Sequence, residues 1–182
     1  MTTLQLLRDL ELRSGEWRLC LRVNRWAARR TIGRFFGVVS RLGDGVFWYT
    51  LMIAIAVLGG SRGPLAALHM ALAGAVAAIL YRVLKRWTRR PRPFRAHHEI
   101  VAHVPPLDEF SFPSGHTLHA VNFTLIALVY VPWLAPLLVP FALLVAASRV
   151  VLGLHYPSDV LAATMIAFGL ASASFWVRGL IV

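Results

Sequence analysis

Residues 64–93 read PLAALHMALAGAVAAILYRVLKRWTRRPRP, and the change of character within them decides the fold. From Pro64 to Leu84 the only formal charge is Arg82. A helix needs about 20 mostly apolar residues to cross a bilayer, and this run supplies them. Five cations then crowd between Lys85 and Arg92. A basic stop of this kind halts a span at the headgroups, which is the reading for Arg86, Arg89 and Arg90. Lys85 and Arg92 are set apart, because Pro91 and Pro93 hold the backbone extended and turned and so fold Arg92 back toward the membrane. A guanidinium fork beside an ammonium group makes a phosphate clamp there.

Outward from this stretch, further apolar runs occupy Val46 to Gly60, Thr117 to Val131, Leu134 to Leu154 and Val160 to Val182. The first and third have 15 residues each and rely on Trp48 and Trp133 at the interface to complete a crossing. The expectation is an all-α polytopic membrane bundle of about five transmembrane helices over 46–182, preceded by a basic amphipathic segment, 1–45. Composition agrees with it: the chain has 182 residues, 58% of them hydrophobic and 15% charged, with a net charge of +11 and a mean hydropathy of +0.64. An average soluble domain carries about 25% charged residues. A disordered chain is excluded, and so is a disulfide scaffold, since Cys20 is the only cysteine. Apolar mass and basic charge must be segregated, or the fold would bury unpaired cations.

In the first 45 residues, nine arginines from Arg8 to Arg41 punctuate leucines and tryptophans at roughly helical spacing. Such a segment crosses lipid only at high cost. It suits a helix lying in the headgroup plane, with Trp17 and Trp26 at the interface, and the recurring arginines exclude a signal peptide. Residues 40–45, Ser-Arg-Leu-Gly-Asp-Gly, make a turn with Asp44 as a helix cap.

Two more polar clusters stand at span ends. Phe112-Pro113-Ser114-Gly115-His116 precedes the third span, where free backbone N–H groups and the helix dipole favour an anion. Gly115 permits close approach, and His116 is placed to give a proton to a departing oxygen. Ser148-Arg149 ends the fourth span, and His155 and Asp159 follow, four residues apart. Arg149 among apolar neighbours needs an anion, and with eight acidic residues in the chain a phosphate is the favoured counter-ion. A carboxylate bonded to one nitrogen of His155 leaves the other free and basic. In an up-and-down bundle all these span ends share one face of the membrane, so the groups converge.

Taken in order, Lys-x6-Arg-Pro (Lys85, Arg92, Pro93), Pro-Ser-Gly-His (113–116) and Ser-Arg-x5-His-x3-Asp (Ser148, Arg149, His155, Asp159) resemble the three motifs of the type 2 phosphatidic acid phosphatase (PAP2) superfamily. That group includes bacterial membrane lipid phosphatases and prenyl-diphosphate phosphatases. The resemblance implies that His155 attacks phosphorus and becomes a phosphohistidine, that Asp159 holds its ring, and that His116 protonates the leaving group. It implies that Lys85, Arg92, Ser114, the Gly115 N–H and Arg149 bind the phosphoryl oxygens. No cofactor and no metal are implied; the cations stand where magnesium stands in other phosphoryl-transfer enzymes.

The expected function is metal-independent hydrolysis of a lipid phosphate or diphosphate, with undecaprenyl diphosphate ranked first, phosphatidylglycerophosphate and phosphatidic acid next, and lipid A phosphate after them. Two rivals stand: a phosphotransferase or vanadate-holding haloperoxidase, and a non-enzymatic anion-binding membrane protein. Membrane lipids are expected partners and nucleic acid is not, since the arginines flank spans. All but two of the 19 basic residues, Arg62 and Arg178, fall on the active face. Charge bias would place that face in the cytoplasm. The resemblance places it in the periplasm of a bacterial inner membrane, and the periplasm is preferred because the clamp uses part of that charge. Of the remaining groups, His119 is expected to line the cavity and His69 to be a hydrogen-bonded bundle residue. His97, His98 and His103 are read as interfacial, and Asp108 and Glu109 as solvated loop charges. Ala162, Ala163, Gly169, Ala171 and Ser172 are expected to pack the last span closely against its neighbours.

Overall fold

The computed structural model describes residues 15–181, so Arg8 and Arg13 of the basic segment lie outside the described residues. The described chain is all-helical: α1 (Glu16–Ala27), α2 (Arg30–Gly43), α3 (Val46–Leu58), α4 (Gly63–Thr88), the single turn α5 (Pro93–Ala96), α6 (Gly115–Tyr130), α7 (Ala135–Val151) and α8 (Pro157–Ile181). Three of these are long and apolar enough to cross a membrane, namely those that contain the second, fourth and fifth runs. The first run forms α3, which meets α2 at 48°, and together the two qualify as one bent span. The third run forms α6, 16 residues long and central to the bundle.

α6 packs against α4, α7 and α8 and touches α2. Its sequence explains the position: Leu118, Ala120, Ile126 and Ala127 are buried around the whole helix, as suits one with neighbours on all sides. The close-packing face of α8 is Ala163, Ala167 and Ala171, four residues apart and buried. Gly169 and Ser172, expected on that face, point outward instead, because the helical period carries them off the stripe.

The amphipathic α1 buries Cys20, Asn24 and Ala27 and leaves Arg18, Arg22 and Arg25 at the other surface or edge. Asn24 joins two separate stretches: its side-chain amide donates to the carbonyls of Val101 (2.9 Å) and Val151 (3.0 Å) and accepts from the Val101 N–H (2.9 Å). Beside it the chain turns at Gly153, whose φ of +75° suits only glycine, and a Cβ there would stand 2.6 Å from the Val101 oxygen. The loop before α6 and the α7–α8 corner, which carry the chemistry, are thereby held together.

Candidate active site

His155 sits in the corner between α7 and α8, 1% exposed. Its backbone N–H donates to the Arg149 carbonyl at 3.1 Å, which fixes the corner to the end of α7. Its Nδ1 faces Oδ2 of Asp159 at 3.5 Å, and its Nε2 meets Nη1 of Arg92 at 3.1 Å. A guanidinium only donates, so Nε2 carries the lone pair and the ring proton is on Nδ1. Burial first, then the charges of Arg92, Arg149 and Lys85, hold His155 well below the usual imidazole value of 6.5. The ring is neutral at pH 7, with its nucleophilic nitrogen turned to the cations.

Those cations come from three directions. Lys85, on the last turn of α4, donates to Asp108 Oδ1 (2.7 Å) and the Phe110 carbonyl (2.8 Å). Arg92 is 1% exposed; its Nη1 also donates to the Leu154 carbonyl (2.8 Å) and its Nη2 to Asp108 Oδ1 (2.7 Å). Arg149 is 2% exposed, donates to the Ser40 hydroxyl, and leaves Nε without a partner; it forms no ion pair among the described residues. α6 begins at Gly115, so the first N–H groups of that helix have no carbonyl of their own turn to bond.

These groups line one cavity of about 860 Å³. Lys85, Arg92, Arg149, His155, Gly115 and His116 form its polar end. Trp48, Met52, Ala71, Gly74, Ala75 and Phe123 form an apolar wall contributed by α3, α4 and α6. His119 lines it too, as expected, and is tied to the Gly115 carbonyl at 2.8 Å. Among the described residues no three of His, Cys, Asp or Glu converge so as to hold a metal ion. The stretch 66–181, with all three motifs inside it, matches the PAP2 superfamily.

The chain belongs to the PAP2 superfamily. It is 30% identical over 124 residues to the undecaprenyl-diphosphatase BcrC of Bacillus subtilis, a match covering 67% of this chain and 63% of that protein. It is 40% identical over 75 residues to the phosphatidylglycerophosphatase B of Escherichia coli, covering 37% of this chain and 29% of the relative. The chain thus aligns with less than two thirds of the length of either. The crystal structure of a transmembrane PAP2-type phosphatidylglycerolphosphate phosphatase from Bacillus subtilis has the same fold: TM-score 0.71, 23% identity, 98% of this chain and 93% of that one.

Of the residues singled out from sequence, Lys85, Arg92, Gly115, His116, Arg149 and His155 line this cavity, and Ser114 and Asp159 do not. Ser114 is fully buried as the N-cap of α6, its hydroxyl shared with Thr117 Oγ1 at 3.0 Å, and it is not among the residues lining the cavity. Asp159 lies behind His155, fully buried. Asp108 is exposed, as expected of a loop charge, but it is not free: its carboxylate bridges Lys85 and Arg92, which outweigh the opposing effect of burial and hold it below the usual carboxylate range. Glu109 is a surface charge, 3.4 Å from Arg95. Asp44, expected as a helix cap, closes the C-terminus of α2 through its backbone N–H, which donates to the Arg41 carbonyl at 3.1 Å, while its side chain caps no helix and pairs through Oδ1 with Nε2 of His116. Arg90, expected as part of a basic stop, turns inward and donates to Asp159 Oδ1 at 2.7 Å. His69 bonds Tyr130 (3.0 Å) and Ser174 (2.9 Å), the bundle role expected of it. Cys20 lies under the His155 corner, 3.9 Å from its carbonyl, and burial pushes its thiol up to about 12, which leaves it inert at neutral pH.

Proposed function

We propose that the chain is a metal-independent phosphatase acting on a lipid phosphate or diphosphate, with undecaprenyl diphosphate the first choice of substrate and a phosphohistidine as intermediate. The observation that carries this reading is the continuity of the cavity from the cation cage to the apolar wall. A phosphoryl group fits the first and a hydrocarbon tail the second. Phosphoryl oxygens take over the Lys85 and Arg92 donors now held by Asp108. The lone pair of His155 Nε2 then forms a bond to phosphorus as the bond to the leaving oxygen breaks, and His116 gives that oxygen a proton. Water next attacks phosphorus, returns a proton to His116 and breaks the N–P bond, which releases inorganic phosphate. Fixed donors around the developing charge do the work a metal does elsewhere.

Arg82 and Arg86 line the same cavity outside the cage, one helical turn apart on α4. A diphosphate offers them a second anion, and this favours it over a monoester. The name of the BcrC relative points the same way. Phosphate release from detergent-solubilised undecaprenyl diphosphate, phosphatidylglycerophosphate and phosphatidic acid, with EDTA throughout, tests the reading. The expected result is turnover that survives the chelator, is fastest on the diphosphate and is blocked by vanadate. A requirement for added magnesium overturns it.

The same proposal places the chain in a bacterial inner membrane with its active face in the periplasm and its C-terminus in the cytoplasm. A reporter that works only in the cytoplasm, fused after Val182, is expected to be active. Activity of a periplasm-only reporter at that position overturns the sidedness.

A further inference from the structure

We infer that Arg90 is a positioning residue for Asp159 and that Glu16 of α1 holds Arg90 in place, so that the amphipathic N-terminal segment reaches the reaction through an ion-paired chain. The inference rests on the reading of His155 as nucleophile. Its ground is the division of labour between the two oxygens of Asp159. Oδ2 accepts the Tyr156 N–H at 2.9 Å and faces His155; Oδ1 accepts Arg90 Nη1 at 2.7 Å. The carboxylate is fully buried, and a carboxylate so placed needs a cation with good geometry to stay charged. Arg90 is that cation.

Arg90 is itself fixed on several sides. Nη1 also donates to the Ser158 hydroxyl at 2.7 Å, Nη2 meets Glu16 Oε1 at 2.5 Å, and the guanidinium lies over the Tyr156 ring, 4.2 Å from its centroid. The second oxygen of Glu16 accepts the Ser158 N–H at 3.2 Å, at the first turn of α8. Glu16 therefore grips both the guanidinium and the helix that carries Asp159. A planar fork held this way sets the rotation of the carboxylate, and that rotation decides whether Oδ2 faces Nδ1 of the histidine. Residues that orient metal ligands from behind commonly contribute about 10–100-fold to affinity or activity, and Arg90 is expected to act on Asp159 in the same range.

The rival reading is a clamp that only ties α1 to α8. The two differ in what they do to turnover. Full-length chain is purified in detergent and assayed on whichever lipid of the panel above it turns over fastest, with melting temperature measured beside it. Arg90→Gln is expected to lower kcat about 10–100-fold with KM within about twofold. Arg90→Lys recovers only part of this, because one ammonium cannot span Asp159 and Glu16 as the fork does. Glu16→Gln lowers kcat by a smaller factor. In an Asp159→Asn background, Arg90→Gln costs less than about a further twofold, since the group it positions has lost its charge. Unchanged kcat in Arg90→Gln, a rise in KM in place of the fall in kcat, or a loss that recurs in full beside Asp159→Asn overturns the inference. Should Arg90→Gln fail to fold, Arg90→Lys in the same cycle decides between these outcomes. A parent chain inactive on every lipid, or an active His155→Ala, instead defeats the phosphatase reading, a result separate from any Arg90 variant.

Discussion

His155→Ala is expected to lower kcat by roughly 10⁴-fold or more and to abolish labelling of the protein by radioactive substrate phosphate, while vanadate still binds. The size follows from the geometry. Nε2 carries the lone pair and Arg92 stands beside it at 3.1 Å, whereas the other imidazole at the polar end, His116, has its Nε2 paired with Asp44. The cage survives the substitution, because Lys85, Arg92 and Arg149 belong to other elements, and so anion binding survives with it. Trapped label should be acid-labile and base-stable, as expected of a phosphoimidazole. Turnover within tenfold of the parent with no label would mean that water attacks phosphorus directly, and label that persists would mean that another side chain is the nucleophile. The same residue sets a pH dependence. Its folded pKa lies well below 6.5, chiefly through burial, so the unfolded chain takes up that proton first. Stability from keeping the ring neutral is fully present above about pH 6.5 and is lost as acidification carries the pH below it.

The parts of the site legible in the sequence were those whose residue type and place at a span end carry the signal. Lys85, Arg92, His116, Arg149 and His155 each sit where an apolar run stops, and the up-and-down topology alone brings such ends to one face. What escaped depends on pairing between distant stretches. Arg90 meets Glu16 and Asp159, 74 and 69 residues away; His116 meets Asp44 across 72; Arg149 meets Ser40 across 109. No local pattern announces these. Asp44 read as a cap because aspartate before a helix commonly is one, and Arg90 as a stop because arginines after a span commonly are. The basic segment is the clearest case. Its described arginines are exposed, whereas Glu16, Ser40 and Asp44, which bond Arg90, Arg149 and His116, are scattered polar residues with no period of their own. The alanine stripe of α8 was half legible, since small residues signal close packing but only the helical phase selects 163, 167 and 171.

Arg149→Met is expected to act in opposite directions on activity and on stability, which separates a phosphate ligand from a structural cation. Arg149 is almost wholly buried, Ser40 is its side-chain partner, and its Nε bonds nothing. A buried guanidinium without a carboxylate is costly to the folded chain, and an apolar side chain of similar volume removes the cost. The melting temperature of the ligand-free chain should therefore hold or rise. Transition-state charge loses a preorganised donor at the same time, and kcat should fall by about 10²–10³-fold. Lysine at this position should not restore turnover, because a point charge on a flexible stem cannot reproduce the fork that meets Ser40 and phosphate together. Vanadate, which raises the melting temperature of the parent by binding the folded state, should do so much less in the variant. A variant that melts lower without ligand yet keeps both its turnover and its response to vanadate would show that the missing anion is not the substrate, and the cation cage would lose the member whose burial argues for it most directly.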